Sequence, residues 1–475
     1  MNIRTSILIG IVSAAMVFLF SGCATTDPKK PFAGLKEEIK ARTGTEIEWQ
    51  RSLEARRHAS QRIRSMLRDD LTLEEAIAIG LANNRRIQGL YQELGVAQAG
   101  VVQSQLLDNP HVGFAYLGSS SNLYKLELEA VTNILSLFLI PLRQALAEAQ
   151  LARAHHRIAG LVLAHLFDIR RAYVMVQAHQ QAYRLLERVL LSSEAAHEMA
   201  ERLRDAGNMT RLELLSRRSL AEEDRLALSS ASLAVFESRE RLNRLMGLWG
   251  EDIAWTVKAD LPAVPMDYPD LQEVEKRAVE ASLDMALAKS RLTAGARELG
   301  ITNVTSILPE FEMGAAFERE EDGMWFGGPA FALQLPIFDP GHAKRSKARA
   351  IVERHWEEFT ALSVEVRSQA REAFRRLEVA REQALYYEKS FLPLRQAITQ
   401  QAQRRYNGMF LGVFDLLMIK RMEIRASLGY IDALKTYWMA QSDMEELLAG
   451  KLPPHSTDMR MILPVSGGSM GQGGH

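Results

Sequence analysis

Apolar residues recur at steps of three and four along two stretches, Leu142–Arg204 and His342–Arg405, and charged residues fill the faces between. Leu185, Leu186, Val189 and Leu190 mark the stripe in the first; Phe374, Leu377, Ala380 and Ala384 mark it in the second. That period predicts amphipathic helices packed as in coiled coils. At 1.5 Å per residue, about 60 residues make each helix roughly 90 Å long, far beyond an ordinary globular helix. Shorter helical patterns flank them: Leu71–Leu107 and Leu212–Met246 in the first half, Leu271–Leu308 and Leu416–Leu448 in the second. Two of these stacked end to end match one long helix in length and cover its apolar stripe.

Between Pro110 and Pro141 the period changes from 3.6 to 2, which predicts strands. Val112, Phe114 and Tyr116 alternate with Gly113 and Ala115; Tyr124, Leu126, Leu128 and Ala130 alternate with Lys125, Glu127 and Glu129. The second half repeats the scheme within residues 311–337: Phe311, Met313, Ala315 and Phe317 alternate with Glu312 and Gly314, then Trp325, Phe331, Leu333 and Leu335 share a face. Gly118–Asn122 and Arg319–Gly323 are the turns. Taken alone, the strands fit two readings equally: a small soluble sheet with one wet face, or a piece of an outer-membrane barrel, whose strands of about ten residues have this dyad pattern. Four strands cannot close a barrel, so the second reading needs several chains to share one.

The order of elements repeats at about 200 residues. Thr72, an N-cap for Glu75, opens one half and Leu271 the other; Pro110 pairs with Pro309, Pro141 with Pro336, Gly207 with Gly408, and Leu214–Leu215 with Leu416–Leu417. The prolines close their segments and the two glycines break the long helices. The resulting division is 1–22 signal, 23–70 polar lead with a helix through Glu37–Arg68, 71–250 first repeat, 251–270 linker, 271–450 second repeat and 451–475 flexible tail.

The N-terminus reads as an address. Arg4 precedes an apolar run, Ile7–Phe20, that is shorter than the roughly 20 residues a membrane helix needs. It ends in Phe20, Ser21, Gly22 and Cys23, which resembles a bacterial lipobox, with Phe20 where leucine is usual. Cys23 is the single cysteine of the chain, so lipidation of its sulfur is favoured over an ordinary secretory signal. Ala24, not an acid, suggests sorting to the outer membrane. No later segment reads as a long apolar span, so any membrane crossing falls to strands. With the signal and the long helices, the shared barrel is the favoured reading of the strands.

Composition removes several function classes. The 475 residues carry a net charge of −1, with 25% charged and 7% aromatic residues, and show no basic stripe for nucleic acid. GxSxG, P-loop, HExxH and strand-following GxGxxG motifs are absent, so no enzyme chemistry is expected. The 11 histidines are scattered; adjacent His155 and His156 point about 100° apart on a helix and cannot chelate one ion well, and they and His179 read as ordinary helix-face residues. Met470 and His475 sit in a Gly/Ser tail that reads as plain low complexity. No metal and no cofactor are expected beyond the lipid on Cys23.

The joint order of these features resembles the TolC-like outer-membrane factor family over residues 71–450. The runs that carry it are Leu71–Asn84, which is similar to the family's opening helix; Leu335–Asp339, the strand exit into the second long helix; and Arg405–Gly408 through Asp415–Leu417, the second helical turn. The resemblance implies a mostly helical chain of duplicated antiparallel hairpins. It also implies four strands per protomer, shared by a homotrimer in a twelve-stranded barrel. By the same resemblance the chain is the efflux exit duct of the outer membrane, extends through the periplasm, and meets a periplasmic adaptor and an inner-membrane pump. Arg204–Glu213 and Arg405–Asp415 are then the tip turns, with Gly207, Glu213, Tyr406, Gly408 and Asp415 around the aperture. Leu411 and Met418 stand where some relatives carry an arginine and a second acid, so a salt-bridged lock of their kind is not expected. Read without the family, Glu213 and Asp415 are equally well helix N-terminal carboxylates favoured by the macrodipole. The alternative function is a pore-free periplasmic coiled-coil lipoprotein acting as spacer or scaffold; it leaves the two strand pairs unexplained. An adaptor subunit is a poorer fit, since adaptors carry one helical hairpin between β-rich domains.

Overall fold

The computed structural model describes residues 27–118, 124–258, 260–265, 273–307, 310–320 and 322–454. Cys23, the loop within Gly118–Asn122, Pro309, Met470 and His475 lie outside the described residues, as does most of the 251–270 linker's far end.

The chain is mostly helical with one small sheet. Its elements are α1 Lys29–Thr43, α2 Leu53–Met66, α3 Leu73–Asn83, α4 Arg85–Ser104, β1 His111–Gly118, β2 Tyr124–Asn133, α5 Ile134–Asp205 and α6 Arg211–Met246. The second repeat follows with α7 Val274–Ala281, α8 Leu283–Ile307, β3 Phe311–Arg319, β4 Trp325–Leu333, α9 His342–Tyr386, a π-helical turn Tyr387–Phe391, α10 Leu392–Asn407 and α11 Val413–Ala449.

Several boundaries differ from the periodicity. The polar lead forms two helices, separated after Gly44, whose left-handed φ of 71° caps α1. Pro141 does not close a segment: it lies inside α5, which begins directly at the end of β2 and runs 72 residues, about 110 Å. At the eighth helical position its ring removes the bond an N–H would give to Leu137 O, yet the helix runs on through it. One helix among the described residues, α5, is long and apolar enough to cross a membrane by composition, against expectation. Its first turns carry Leu135, Leu137, Phe138, Leu139 and Ile140 in succession. β4 stops at Leu333, because Leu335–Gly341 turns back on itself, with Ile337 N donating to Leu335 O at 2.8 Å. The second long helix passes through the π turn just before Pro393, where one extra residue absorbs the proline's missing donor. Gly429 of α11 makes room for the bulge: a Cβ there would stand 2.7 Å from the Tyr387 hydroxyl.

The helices expected as single rods at 71–107 and 271–308 are each broken, and at equivalent places. Thr72 caps α3 through a reciprocal box with Glu75. The helix then stops at Asn84 (φ −65°, ψ 118°) and restarts. In the second repeat Ser282 takes φ −64°, ψ 113°. Each break receives the end of the repeat's last helix. Asn83 Nδ2 donates to Gly247 O at 2.7 Å and Asn84 Nδ2 to Leu245 O at 2.9 Å, which satisfies carbonyls left open at the α6 terminus. Leu283 N donates to Gly450 O at 2.7 Å in the counterpart. The terminal glycines, Gly247 (φ 69°) and Gly450 (φ 104°), are left-handed. A Cβ on Gly450 would stand 2.2 Å from Ala281 O, so glycine is required there twice over.

Two apolar cores lie at mid-height of the helices. The first gathers α1, α3, α4 and Ile158–Val176 of α5 around Tyr91 and Trp255. The second gathers Val366–Ala384 of α9 and Ile431–Leu447 of α11. Arg42 ties the lead to the second repeat, donating to Ala281 O (2.8 Å) and Ala449 O (2.7 Å) at two helix C-termini.

Where the two cores meet, α5 and α11 share a buried charge cluster. Arg171 donates to Asp443 at 3.0 Å, Glu446 at 2.5 Å and Asp168 at 2.8 Å. One guanidinium bonds three carboxylates, and Arg376 also acts on Asp443. Burial is the largest influence on Glu446 and raises its pKa to about 7; Asp168 and Asp443 add to the rise and Arg171 opposes it. The folded chain therefore holds a proton that the unfolded chain releases near 4.5. This group's contribution to stability is full below pH 4.5 and is lost as pH rises through about 7. Glu446→Gln should flatten that pH dependence in thermal unfolding followed by helical circular dichroism. Arg171→Ala, which leaves the fully buried Glu446 without its bonded cation, should cost about 3–5 kcal/mol; a loss below about 1 kcal/mol would show the cluster does not hold the helices together.

Candidate membrane sheet and helical tip

The four strands form one antiparallel sheet in the order β1-β2-β3-β4, and the β2–β3 pair joins the repeats. The register sorts side chains by face. Phe114 opposes Leu128, which opposes Phe317; Val112 opposes Ala130, which opposes Ala315; and Met313 opposes Phe331. All of these share one face. It is apolar and uncovered: Phe114 is 67% exposed. Gly327 leaves room for the Phe317 ring, since a Cβ would come within 2.6 Å of it.

The opposite face carries Lys125, Glu127, Glu129, Glu312 and Glu318, with Glu127 directly opposite Glu318. Lys125 Nζ reaches Glu318 at 2.7 Å and Glu127 at 3.0 Å. Four carboxylates against one ammonium leave this face acidic. Strand alternation predicted the two faces; the cross-strand charge contacts come only from the register. β1 and β4 have no second strand partner among the described residues.

At the far end of the helices lie the two turns. α5 ends at Asp205, and Gly207 (φ 74°) turns the chain. Thr210 then caps α6. Its N–H and hydroxyl donate to Glu213 Oε2 at 2.9 and 2.8 Å, and Glu213 N donates back to the Thr210 hydroxyl at 3.2 Å. These bonds hold the Glu213 carboxyl below the usual range. Glu213 thus has the N-terminal capping geometry, though it remains exposed. In the second turn the left-handed residue is Met409 (φ 61°) rather than Gly408 (φ −87°). Gly408 instead lies under the Phe410 ring, where a Cβ would approach to 3.0 Å. Gly412 caps α11 without a side chain, and Asp415 sits exposed in its first turn. Tyr406 is exposed beside the same turn.

The structure brings the two turns together through contacts that sequence reading missed. Arg217 of α6 lies over the Phe414 ring of α11 at 4.6 Å. Farther from the turns, Arg421 donates to Asp224 at 2.6 Å, with both residues' side chains largely buried. Burial raises the Asp224 pKa and lowers that of Arg421, so each charge depends on the other. The signal available in sequence was a charge on an apolar stripe: Asp224 follows Ala221 by three residues. No group of three or more His, Cys, Asp or Glu side chains that could hold a metal occurs among the described residues. His155 Nε2 bonds Glu38 of α1 at 2.8 Å and His179 Nδ1 bonds Ala234 O at 3.0 Å, so both are engaged within the fold.

Arg421→Leu should destabilise by about 3 kcal/mol by leaving Asp224 buried alone, and adding Asp224→Leu should recover most of it. Unfolding midpoints of the three variants check this; an innocuous single substitution would show that the pair does not tie α6 to α11.

No family model matches the chain. In sequence it is 23% identical over 327 residues to the probable efflux pump outer membrane protein TtgC of Pseudomonas putida, covering 64% of this chain and 61% of TtgC. The antibiotic efflux pump outer membrane protein ArpC of the same species matches to the same extent. The match thus spans less than two thirds of these relatives' length. In structure, the Campylobacter jejuni outer membrane channel CmeC superposes with a TM-score of 0.68 at 14% identity, over 86% of this chain and 90% of CmeC. The fold is that of the TolC-like channels, and the sequence relatives are outer membrane efflux proteins.

Proposed function

We propose, from this fold and these relatives, that the chain is the outer-membrane channel subunit of a tripartite efflux system. Three copies contribute four strands each to one twelve-stranded barrel. Their helices continue as a tunnel through the periplasm toward an adaptor and an inner-membrane pump. Acylated Cys23 anchors the chain in the outer membrane. The observation that carries this reading is the sheet itself: one face apolar and exposed, the other acidic, both edges unpaired among the described residues, on helices too long for a globule. A sheet edge is not tolerated in hydrocarbon, and joining β4 of one copy to β1 of the next removes it. A spacer or scaffold has no use for such a sheet.

The acidic face then lines the pore and favours cations, as rings of carboxylates do. Asp415, exposed at the tip, adds a second ring near the aperture, with Glu213, Tyr406, Gly207 and Gly408 shaping the turns around it. The full-length lipoprotein, reconstituted in a planar bilayer, should conduct with a preference for cations. Asp415→Asn should lower that preference a few-fold, because a unit charge about 5 Å from an ion in water changes its local concentration about fourfold. A purified protein that stays monomeric and passes no current would overturn the channel and favour the scaffold. An unmodified Cys23 thiol in the mass of the mature chain would remove the anchor.

A further inference from the structure

All four passages between helix and strand lie at one end of the sheet, since His111 pairs with Val131, Asn133 with Glu312 and Phe311 with Leu333. Each passage exposes large apolar side chains on its helical side. Leu107 before β1 is 61% exposed, Phe138 after β2 is 71%, Ile307 before β3 is 70% and Phe338 after β4 is 100%. This collar continues the apolar face of the sheet into the helical part of the molecule.

Two further observations say what covers it. The first is length. β1 has 8 residues and the longest strand, β2, has 10. At about 3.3 Å per residue and a tilt of about 40°, β1 rises about 20 Å and β2 about 25 Å, against the apolar band of about 25 Å that bacterial barrels present, so the shorter strands fall short of it. At β1 about one helical turn of extra apolar surface makes up the difference. The second is charge. Immediately past the collar, the first turns of α9 carry Lys344, Arg345, Lys347 and Arg349, and no acid appears until Glu353. Asp339 holds Lys344 at 3.0 Å. Lys347 and Arg349 are exposed and make no salt bridge among the described residues. They lie about 8–10 Å along the helix from its start, comparable to the depth of a headgroup layer.

We infer that the collar sits in the periplasmic leaflet of the outer membrane, with Lys347 and Arg349 bound to the phosphates of anionic phospholipid. This rests on the proposed channel reading. The leaflet's acyl chains cover the collar, and the long basic side chains reach the headgroups just below it.

The test places single cysteines in the full-length, acylated protein, at Phe138→Cys and Phe338→Cys, with Phe114→Cys on the sheet and Glu357→Cys on α9 as references. Each is labelled with bimane and reconstituted in vesicles containing phospholipid with brominated chains. Quenching at 114, 138 and 338 but not at 357 is the expected result. Quenching at 114 alone would mean that a sister chain, not lipid, covers the collar, which overturns the inference and leaves the channel standing. No quenching at 114 would overturn the channel reading and the inference with it. For the headgroups, native mass spectrometry of the solubilised protein with phosphatidylglycerol should show binding weakened about fivefold for each of Lys347→Gln and Arg349→Gln. Unchanged binding would overturn the headgroup assignment.

Discussion

Backbone hydrogen bonding at the two edges of a four-stranded sheet is the constraint on which this structure turns. Among the described residues of one chain, β1 and β4 each leave a row of N–H and C=O groups without strand partners. Water can satisfy such a row; hydrocarbon cannot. Yet the face between those edges carries Phe114, Phe317, Trp325 and Phe331, a surface suited to hydrocarbon and poorly suited to water. The sheet is stable in lipid only if another sheet completes it, and that is the physical ground for an assembly of several chains.

The helices meet a different requirement. Rods of this length bury a stripe only if something continuous lies beside them, and each repeat builds that from two stacked pieces. The breaks at Asn84 and Ser282 are where the pieces meet. They are stable because each one bonds the C-terminal carbonyls of the repeat's last helix, which would otherwise be left open. Gly247 and Gly450 close those termini in the left-handed conformation. The same placement appears twice with different donors: the Asn83 and Asn84 side-chain amides in the first repeat, the Leu283 backbone N–H in the second.

Charge is used in two ways along the molecule. Near mid-height Arg171 is shared by buried Glu446 and Asp443 and part-exposed Asp168, and toward the tip Arg421 pairs with Asp224. Such pairs add little net stability compared with well-packed apolar residues, but they fix which helix faces which, because a misplaced partner leaves a buried charge alone. On the sheet and at the turns, by contrast, the carboxylates are exposed, and in the proposed channel they act on ions in the pore.

Much of this was legible in the residues. The period of 3.6 located the long helices, the period of 2 located the strands and their faces, and Thr72 with Glu75 announced a cap, because these are local properties set by steric and hydrogen-bond geometry within a few residues. Asn84 and Ser282 were not visible as breaks, since the bonds that make them tolerable come from residues more than 150 positions away. Pro141 reads as a stop, yet β2 runs straight into α5, and the helix continues through the proline in its third turn. Gly408 looks like the turning residue, but the Phe410 ring claims its space and Met409 takes the left-handed angle. The pairing of Arg171 with Glu446 and of Asp224 with Arg421, and the collar formed where four separated segments reach one end of the sheet, depend on which segments lie side by side. Local pattern carries no information about that; it is decided only when the chain packs.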